Sequence, residues 1–124
     1  DFIVQLKNAS MAKKASVSVP YSKLKHAVAD ILQREGFVVA VERKGKKIKK
    51  YLEVTLKYDV AGSPEINGVK RVSKLGKRVY LKSKEIRPVK FGHGRLLIST
   101  PKGIMTDSEA RKGNTGGEAL FSIW

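Results

Sequence analysis

The sequence predicts an α+β protein made of two small subdomains. N-terminal helices are expected to pack on a short antiparallel sheet, and C-terminal antiparallel strands are expected to pack with a short helix. Three observations predict this: helical periodicity at residues 21–36, apolar alternation at 37–58, and a cluster of Gly, Ser, Pro and Asn at 60–68. We place the subdomains at residues 1–62 and 63–124.

The first subdomain is expected to open with the end of an amphipathic helix, because apolar residues recur on one face over residues 2–9. A short strand then ends at Pro20. Ser22 is the expected N-cap of a second helix that stops at Gly36. The apolar stripe of this helix consists of Leu24, Ala27, Val28, Ile31 and Leu32.

Two β-rich runs, residues 37–43 and 51–58, flank the basic turn Lys-Gly-Lys-Lys and predict a hairpin. One face of its second strand is apolar and is expected to be buried. That face carries Leu52, Val54, Leu56 and Tyr58.

The second subdomain is expected to be mainly β-structure. Short basic strands at 69–74 and 78–82 precede a buried strand at 95–100, which ends in a turn at 101–103. Thr106 and Glu109 have the spacing of a capping box, which predicts a helix running to about Lys112. The closing strand is expected to cover the last seven residues.

Charge is the strongest compositional signal in the chain. The 26 Lys and Arg residues against 11 Asp and Glu residues give a net charge of +15. Residues 1–60 hold 13 basic and 6 acidic groups and residues 61–124 hold 13 and 5, so the excess is spread through the whole chain. Such a surface repels itself and favours a polyanionic partner, nucleic acid before an anionic membrane surface.

The sequence gives little support to an enzyme. It has no Cys and only two His, and no carboxylate set has metal-ligand spacing. The turn around His93 has glycines that in principle suit a phosphate, but it lacks the spacing of a dinucleotide loop. We expect both His26 and His93 to be structural or solvent-facing, and we expect no cofactor and no metal.

Two basic runs favour contacts with phosphates. Six cations lie at residues 43–50, including Lys46, Lys47 and Lys49, although lysines also protect a solvated edge strand. Nine cations lie at residues 70–90, where Tyr80 is a candidate for base stacking or for ordinary packing. Because the chain lacks clustered surface aromatics, we expect folded RNA rather than a single strand.

Small polar residues flank two C-terminal strands. Ser99 and Thr100 end one strand, and Thr115, Gly116, Gly117 and Glu118 lead into the next. Glycines allow the close approach of an RNA backbone, and hydroxyls bond ribose and base edges, although each piece also suits an ordinary turn. An acid such as Glu118 fits a cationic site when it accepts a hydrogen bond from RNA or from Ser99 and Thr100.

The chain resembles the bacterial-type small-subunit ribosomal protein S8 family over essentially its whole length. The order and spacing of many segments carry this resemblance. They include Val19-Pro-Tyr-Ser-Lys-Leu24, Gln33-Arg-Glu-Gly-Phe37, Val69-Lys-Arg-Val-Ser-Lys74, Ser99-Thr-Pro-Lys-Gly-Ile-Met-Thr-Asp107 and Gly116-Gly-Glu118.

The resemblance implies a non-enzymatic primary RNA-binding protein that contacts the central domain of small-subunit rRNA and helps to organise the platform during assembly. It implies neighbouring ribosomal proteins as partners, its own mRNA as a further target in some members, no membrane, and a place in the small subunit of a cytoplasmic or organellar ribosome. The predicted RNA-contacting residues are Ser22, Lys23, Lys46, Lys47, Lys49, Tyr80, Ser99, Thr100, Lys102, Thr115, Gly116, Gly117 and Glu118.

Two departures from the family pattern modify these expectations. Pro101 stands where the family usually has Ser, so one hydroxyl and one N–H are lost from the turn. The first helix is expected to be a fragment of the family's N-terminal helix.

Two other functions remain as alternatives to a ribosomal protein. One is a free-standing RNA-binding translational regulator or DNA binder, and the other is a polycation at a membrane surface.

Overall fold

The computed structural model describes residues 2–124, apart from the side chain of Phe91. Contacts along the chain define two compact units that divide between Asn67 and Gly68. The first unit contains helices and one antiparallel sheet, and the second contains antiparallel strands with a short helix. The predicted α+β class is therefore confirmed. No helix among residues 2–124 has the length and apolarity to cross a membrane.

The first unit is built from two helices on a three-stranded sheet. Its helices are α1 (Phe2–Met11) and α2 (Lys23–Arg34), and its strands are β1 (Ser16–Pro20), β2 (Val38–Lys46) and β3 (Lys49–Leu56). The sheet order is β1-β3-β2, and every pairing is antiparallel. The predicted hairpin is confirmed, with Leu52, Val54 and Leu56 buried.

Helix α2 begins and ends at the predicted signals. The side-chain oxygen of Ser22 accepts a hydrogen bond from the Lys25 amide at 3.3 Å, and Gly36 follows the helix with a φ of +85°. Of the residues on the apolar stripe, Leu24 is 56% exposed. Because it lies in the first turn of α2, the buried stripe starts only at Val28.

The second unit is one five-stranded sheet with β8 at its centre. Its strands are β4 (Val69–Arg71), β5 (Tyr80–Leu81), β6 (Arg95–Thr100), β7 (Gly103–Thr106) and β8 (Gly117–Ile123), and its helix is α3 (Asp107–Lys112). The order is β4-β8-β6-β7, and β5 also pairs with β8. Strands β4 and β5 therefore pair with opposite ends of β8. Apolar side chains from several elements form the core: Ile86, Leu96, Ile98, Ala110 and Ala119.

Two details of this unit differ from the sequence-based expectation, and one agrees with it. The basic strands are only three and two residues long, and the segment between them leaves Leu75 86% exposed. Strand β7 was not expected, because a four-residue strand directly before a helix cap has no clear periodicity of its own. The capping box of α3 is confirmed: the Thr106 hydroxyl accepts from the Glu109 amide at 3.3 Å.

Candidate nucleic-acid interface

A row of three predicted residues crosses the second sheet near the end of β6 and the start of β8. Tyr80 pairs directly with Glu118 between β5 and β8, and Glu118 pairs directly with Ser99 between β8 and β6. Directly paired residues point to the same face of a sheet. The neighbours Ile98 and Ala119 are buried in the core, so this row lies on the opposite face of the sheet. Tyr80 is 69% exposed, which favours its availability to a ligand over plain packing.

Two glycines make the narrow spacing around this row possible. A Cβ atom on Gly116 would lie 2.5 Å from the carbonyl oxygen of Leu81, and a Cβ on Gly117 would overlap the carbonyl group of Ser99. Any side chain at these positions would push β8 away from β5 or β6. The predicted reason for the glycines was the approach of RNA, whereas the structure shows an approach of protein backbones.

The carboxylate of Glu118 is held by Arg78, one of the nine cations at residues 70–90. It accepts a hydrogen bond from Arg78 Nη1 at 3.2 Å, and its side chain is only 15% exposed. The partner is 40 positions away, so no local pattern indicates the pair. Glu118 thus contacts Arg78 through its side chain and pairs with Tyr80 through its backbone.

The turn between β6 and β7 uses the hydroxyl of Thr100 internally. This hydroxyl donates to the Gly103 carbonyl at 2.8 Å and accepts from the Lys102 amide at 3.1 Å. The suggestion that Thr100 donates to Glu118 is therefore wrong. Pro101 has no amide hydrogen, and it fits this turn because the hydrogen bond to the Thr100 hydroxyl comes from the following amide, that of Lys102. The side chain of Lys102 remains exposed.

The loop before β8 is also fixed by its own polar groups. Thr115 donates its hydroxyl hydrogen to the Gly113 carbonyl at 3.0 Å. The Ser83 hydroxyl donates to the Asn114 amide oxygen at 2.6 Å, which ties the loop to the segment after β5. The second unit therefore brings together Tyr80, Ser99, Thr100, Lys102, Thr115, Gly116, Gly117 and Glu118 around adjoining strand ends.

The first unit carries the remaining predicted residues. Ser22 caps α2, and the neighbouring Lys23 is exposed at the start of that helix. Sequence reasoning missed the ring of Tyr21 beside them. Its centroid lies 5.7 Å from that of His26 and 5.4 Å from the guanidinium of Arg43. His26 also approaches Asp30 at 3.6 Å, which agrees with the expected structural role of this histidine.

The predicted hairpin lysines differ from their neighbour Lys44. Lys46, Lys47 and Lys49 are exposed at the hairpin end, where Ile48 is 95% exposed. In contrast, Lys44 donates to the Glu53 carboxylate at 3.1 Å. The hydrogen bond and charge of Glu53 raise the pKa of Lys44. Glu53 therefore neutralises Lys44 within the hairpin, whereas the three predicted lysines at the hairpin end are exposed.

The structure adds no support to an enzymatic reading. Across the described part of the chain, no three His, Asp or Glu side chains are grouped to hold a metal ion. His93 is exposed. The amides of Gly92, His93 and Gly94 already donate to the carbonyls of Val89 or Lys90, so that turn offers no backbone cradle for a phosphate.

Comparison with known proteins places this arrangement in a family. The family model described as ribosomal protein S8 matches residues 1–124. Small ribosomal subunit protein uS8 of Mycoplasmopsis synoviae is 48% identical over 125 residues, covering 100% of this chain and 94% of that protein. The uS8 proteins of Dictyoglomus thermophilum and Bacillus mycoides are 47% and 43% identical with the same coverage. Because the family model matches the whole chain and these relatives are 43–48% identical to it, the chain belongs to the ribosomal protein S8 family, a family of structural ribosomal proteins and not of enzymes.

Proposed function

We propose that this protein is a structural component of the small ribosomal subunit and a primary binder of the central domain of small-subunit rRNA. The observation that carries the proposal is the row of Tyr80, Glu118 and Ser99 on the face of the second sheet opposite its core. It combines an exposed ring, a fixed acid and a hydroxyl in a chain of net charge +15. This combination suits a structured RNA whose phosphates, 2′-hydroxyls and an unstacked base are all contacted.

The second unit supplies the specific part of this interface in our proposal. Ser99 offers a hydroxyl to ribose or base edges, while Thr100, Gly116 and Gly117 shape the strand ends around it. Lys102 supplies charge, and the Thr115 loop provides a further polar edge. Helping to organise the platform of the subunit and contacting neighbouring ribosomal proteins are further parts of the proposal.

The first unit supplies supporting contacts. Ser22 fixes the first turn of α2, and Lys23 presents a cation there. Lys46, Lys47 and Lys49 present cations at the hairpin end. These cations contact phosphates, which position the protein without reading the base sequence.

Binding to a transcript of the central domain tests the proposal directly. We expect specific binding at physiological salt, and sedimentation of the protein with small subunits after a moderate salt wash. A protein found only in free fractions, with no preference for this transcript, would contradict the proposal. Specific binding to its own mRNA without association with small subunits would instead support a free-standing translational regulator.

Removing the ring of Tyr80 is expected to weaken rRNA binding by about 1–3 kcal/mol, the usual contribution of a base stacked on an aromatic side chain. Because the ring is 69% exposed, the stability of the fold is expected to change little. Filter binding of Tyr80→Ala measures the loss, and Tyr80→Phe, which retains the stacking surface, is the matched control. Equal loss in both variants would show that the hydroxyl, and not the ring, makes the contact.

Truncating Lys47 to alanine is expected to weaken binding to all RNAs alike. The slope of log Kobs against log salt should fall by about one unit if one phosphate contact is lost. Lys44→Ala is the control, since Glu53 already neutralises Lys44 and its removal should leave the slope nearly unchanged. A change in discrimination between target and unrelated RNA at constant overall affinity would contradict the proposed phosphate role.

A further inference from the structure

An open pocket of about 790 Å³ lies beside Arg95, the first residue of β6. None of the predicted RNA-contacting residues lines it. Its lining consists of Pro88, Lys90, Gly92, Arg95, Ser108 and Arg111. Three cations and one hydroxyl thus face a common space, and no carboxylate of the described residues lines it.

The two arginines of the pocket are held in place by their own partners. Arg95 Nη1 donates to the carbonyl of Gly92 at 2.9 Å and to that of Gly94 at 2.8 Å. Arg111 Nη1 pairs with Asp107 Oδ2 at 3.2 Å, and the side chain of Asp107 is only 3% exposed. Asp107 therefore pairs with one of the three cations of the pocket.

Lys90 is fixed by an unusual backbone conformation. Its φ of +49° lies in the left-handed region, which residues other than glycine seldom adopt. Such conformations persist where the surroundings determine them, and they are enriched at functional sites. The ammonium group lies 4.7 Å from the centroid of the Trp124 ring. The turn therefore holds this cation at the pocket before any ligand binds.

We infer that this pocket binds the sugar–phosphate backbone of a second RNA segment, an inference that rests on the proposed function. The pocket is much larger than one phosphate group, and its three cations match successive phosphates better than a single anion. Arginine donates two parallel hydrogen bonds to phosphate oxygens, and the Ser108 hydroxyl adds a neutral donor.

The pocket is separate from the row of Tyr80, Glu118 and Ser99. Arg95 and Ser99 are four residues apart on β6, so their Cα atoms are separated by roughly 13 Å at the usual rise of a strand. The pocket and the row therefore lie near opposite ends of β6. The second sheet then contacts RNA at both ends of one strand.

Salt titration of rRNA binding tests the pocket. Lys90→Asn removes the charge and keeps a residue that tolerates the left-handed conformation, and Arg95→Gln removes a second cation. For each variant, the slope of log Kobs against log salt is expected to fall by about 0.7–0.9. Lys112→Asn is the matched control, because Lys112 is exposed at the end of α3 and does not line the pocket.

A second measurement does not depend on removing any cation. The sequence contains no cysteine, so a hydroxyl-radical probe that reacts with thiols attaches to the Ser108→Cys protein at that position alone. We expect cleavage at nucleotides different from those cut by the same probe on Tyr80→Cys. Melting curves of all variants establish that they remain folded.

The outcomes separate the pocket from the proposed function. If the wild-type protein binds rRNA while Lys90→Asn and Arg95→Gln keep the wild-type slope, the pocket inference is overturned and the proposed function stands. If both variants keep that slope but dissociate from assembled subunits, the pocket binds an acidic protein segment and the inference is also overturned. Failure of the wild-type protein to bind rRNA overturns the proposed function and, with it, the pocket.

Discussion

Replacing Gly117 by alanine is expected to lower the free energy of unfolding by about 1–3 kcal/mol or more, the usual cost of overpacking a tightly packed position. The added Cβ atom would overlap the carbonyl group of Ser99, which belongs to the backbone of β6 and has no rotamer with which to move away. Strand β8 must therefore shift. Since β8 is the central strand, the shift disturbs its pairing with β5 as well.

The same substitution is expected to reduce specific rRNA binding, because Glu118 is the next residue and directly pairs with Tyr80 and Ser99. Chemical denaturation measures the stability, and filter binding measures the affinity. Gly76→Ala is the matched control within the same unit, since its Cβ would meet no atom within 4 Å and its φ is not in the left-handed region. A Gly117→Ala protein as stable as Gly76→Ala would contradict the packing role assigned to Gly117.

Local signals predicted the elements whose cause is local. Ser22 and Gly36 mark the ends of α2 because a cap and a left-handed glycine act within one turn of the helix. The hairpin of β2 and β3 was predictable because alternation specifies its buried face. Leu24 belongs to the apolar stripe of α2 and is nevertheless exposed, because burial also depends on what lies opposite that turn.

The interface was only partly predictable because its geometry depends on pairing between distant segments. The sequence indicates Tyr80, Ser99 and Glu118 separately, as an exposed aromatic among cations and as two strand ends. Their direct alignment follows from the register of three strands, and the ion pair with Arg78 follows from the same register. Neither a motif nor a periodicity specifies that register in advance.

The basic pocket shows the same dependence on tertiary structure. Lys90, Arg95 and Arg111 come from three separate elements and have no common spacing. As a sequence, they add only to the net charge. Only the fold brings them together, because it places the turn before β6 beside helix α3.

Replacing Glu118 by glutamine is expected to weaken specific rRNA binding about tenfold or more and to leave non-specific binding nearly unchanged. Charge alone predicts the opposite result, because the substitution removes an acid from a cationic surface. The contact with Arg78 reverses this expectation. The carboxylate holds the guanidinium at 3.2 Å, and without it Arg78 loses the orientation that the specific interface requires.

The magnitudes favour the loss of affinity. A charge-assisted hydrogen bond contributes roughly 1.5–3 kcal/mol when it orders an interface, whereas repulsion from phosphates is screened over about 8 Å at physiological salt. Because Arg78 is 53% exposed, the pair contributes at most about 1 kcal/mol to folding, and the melting curve should barely change.

A double-mutant cycle identifies the route by which Glu118 acts. If the carboxylate works by holding Arg78, then Glu118→Gln should have almost no further effect on rRNA affinity in a chain that already carries Arg78→Gln. Additive losses would show instead that the carboxylate accepts a hydrogen bond from the RNA itself. Tighter binding of the Glu118→Gln protein to its target, with an unchanged melting curve, would show that Glu118 is only a tolerated surface acid and that the row is not the specific interface.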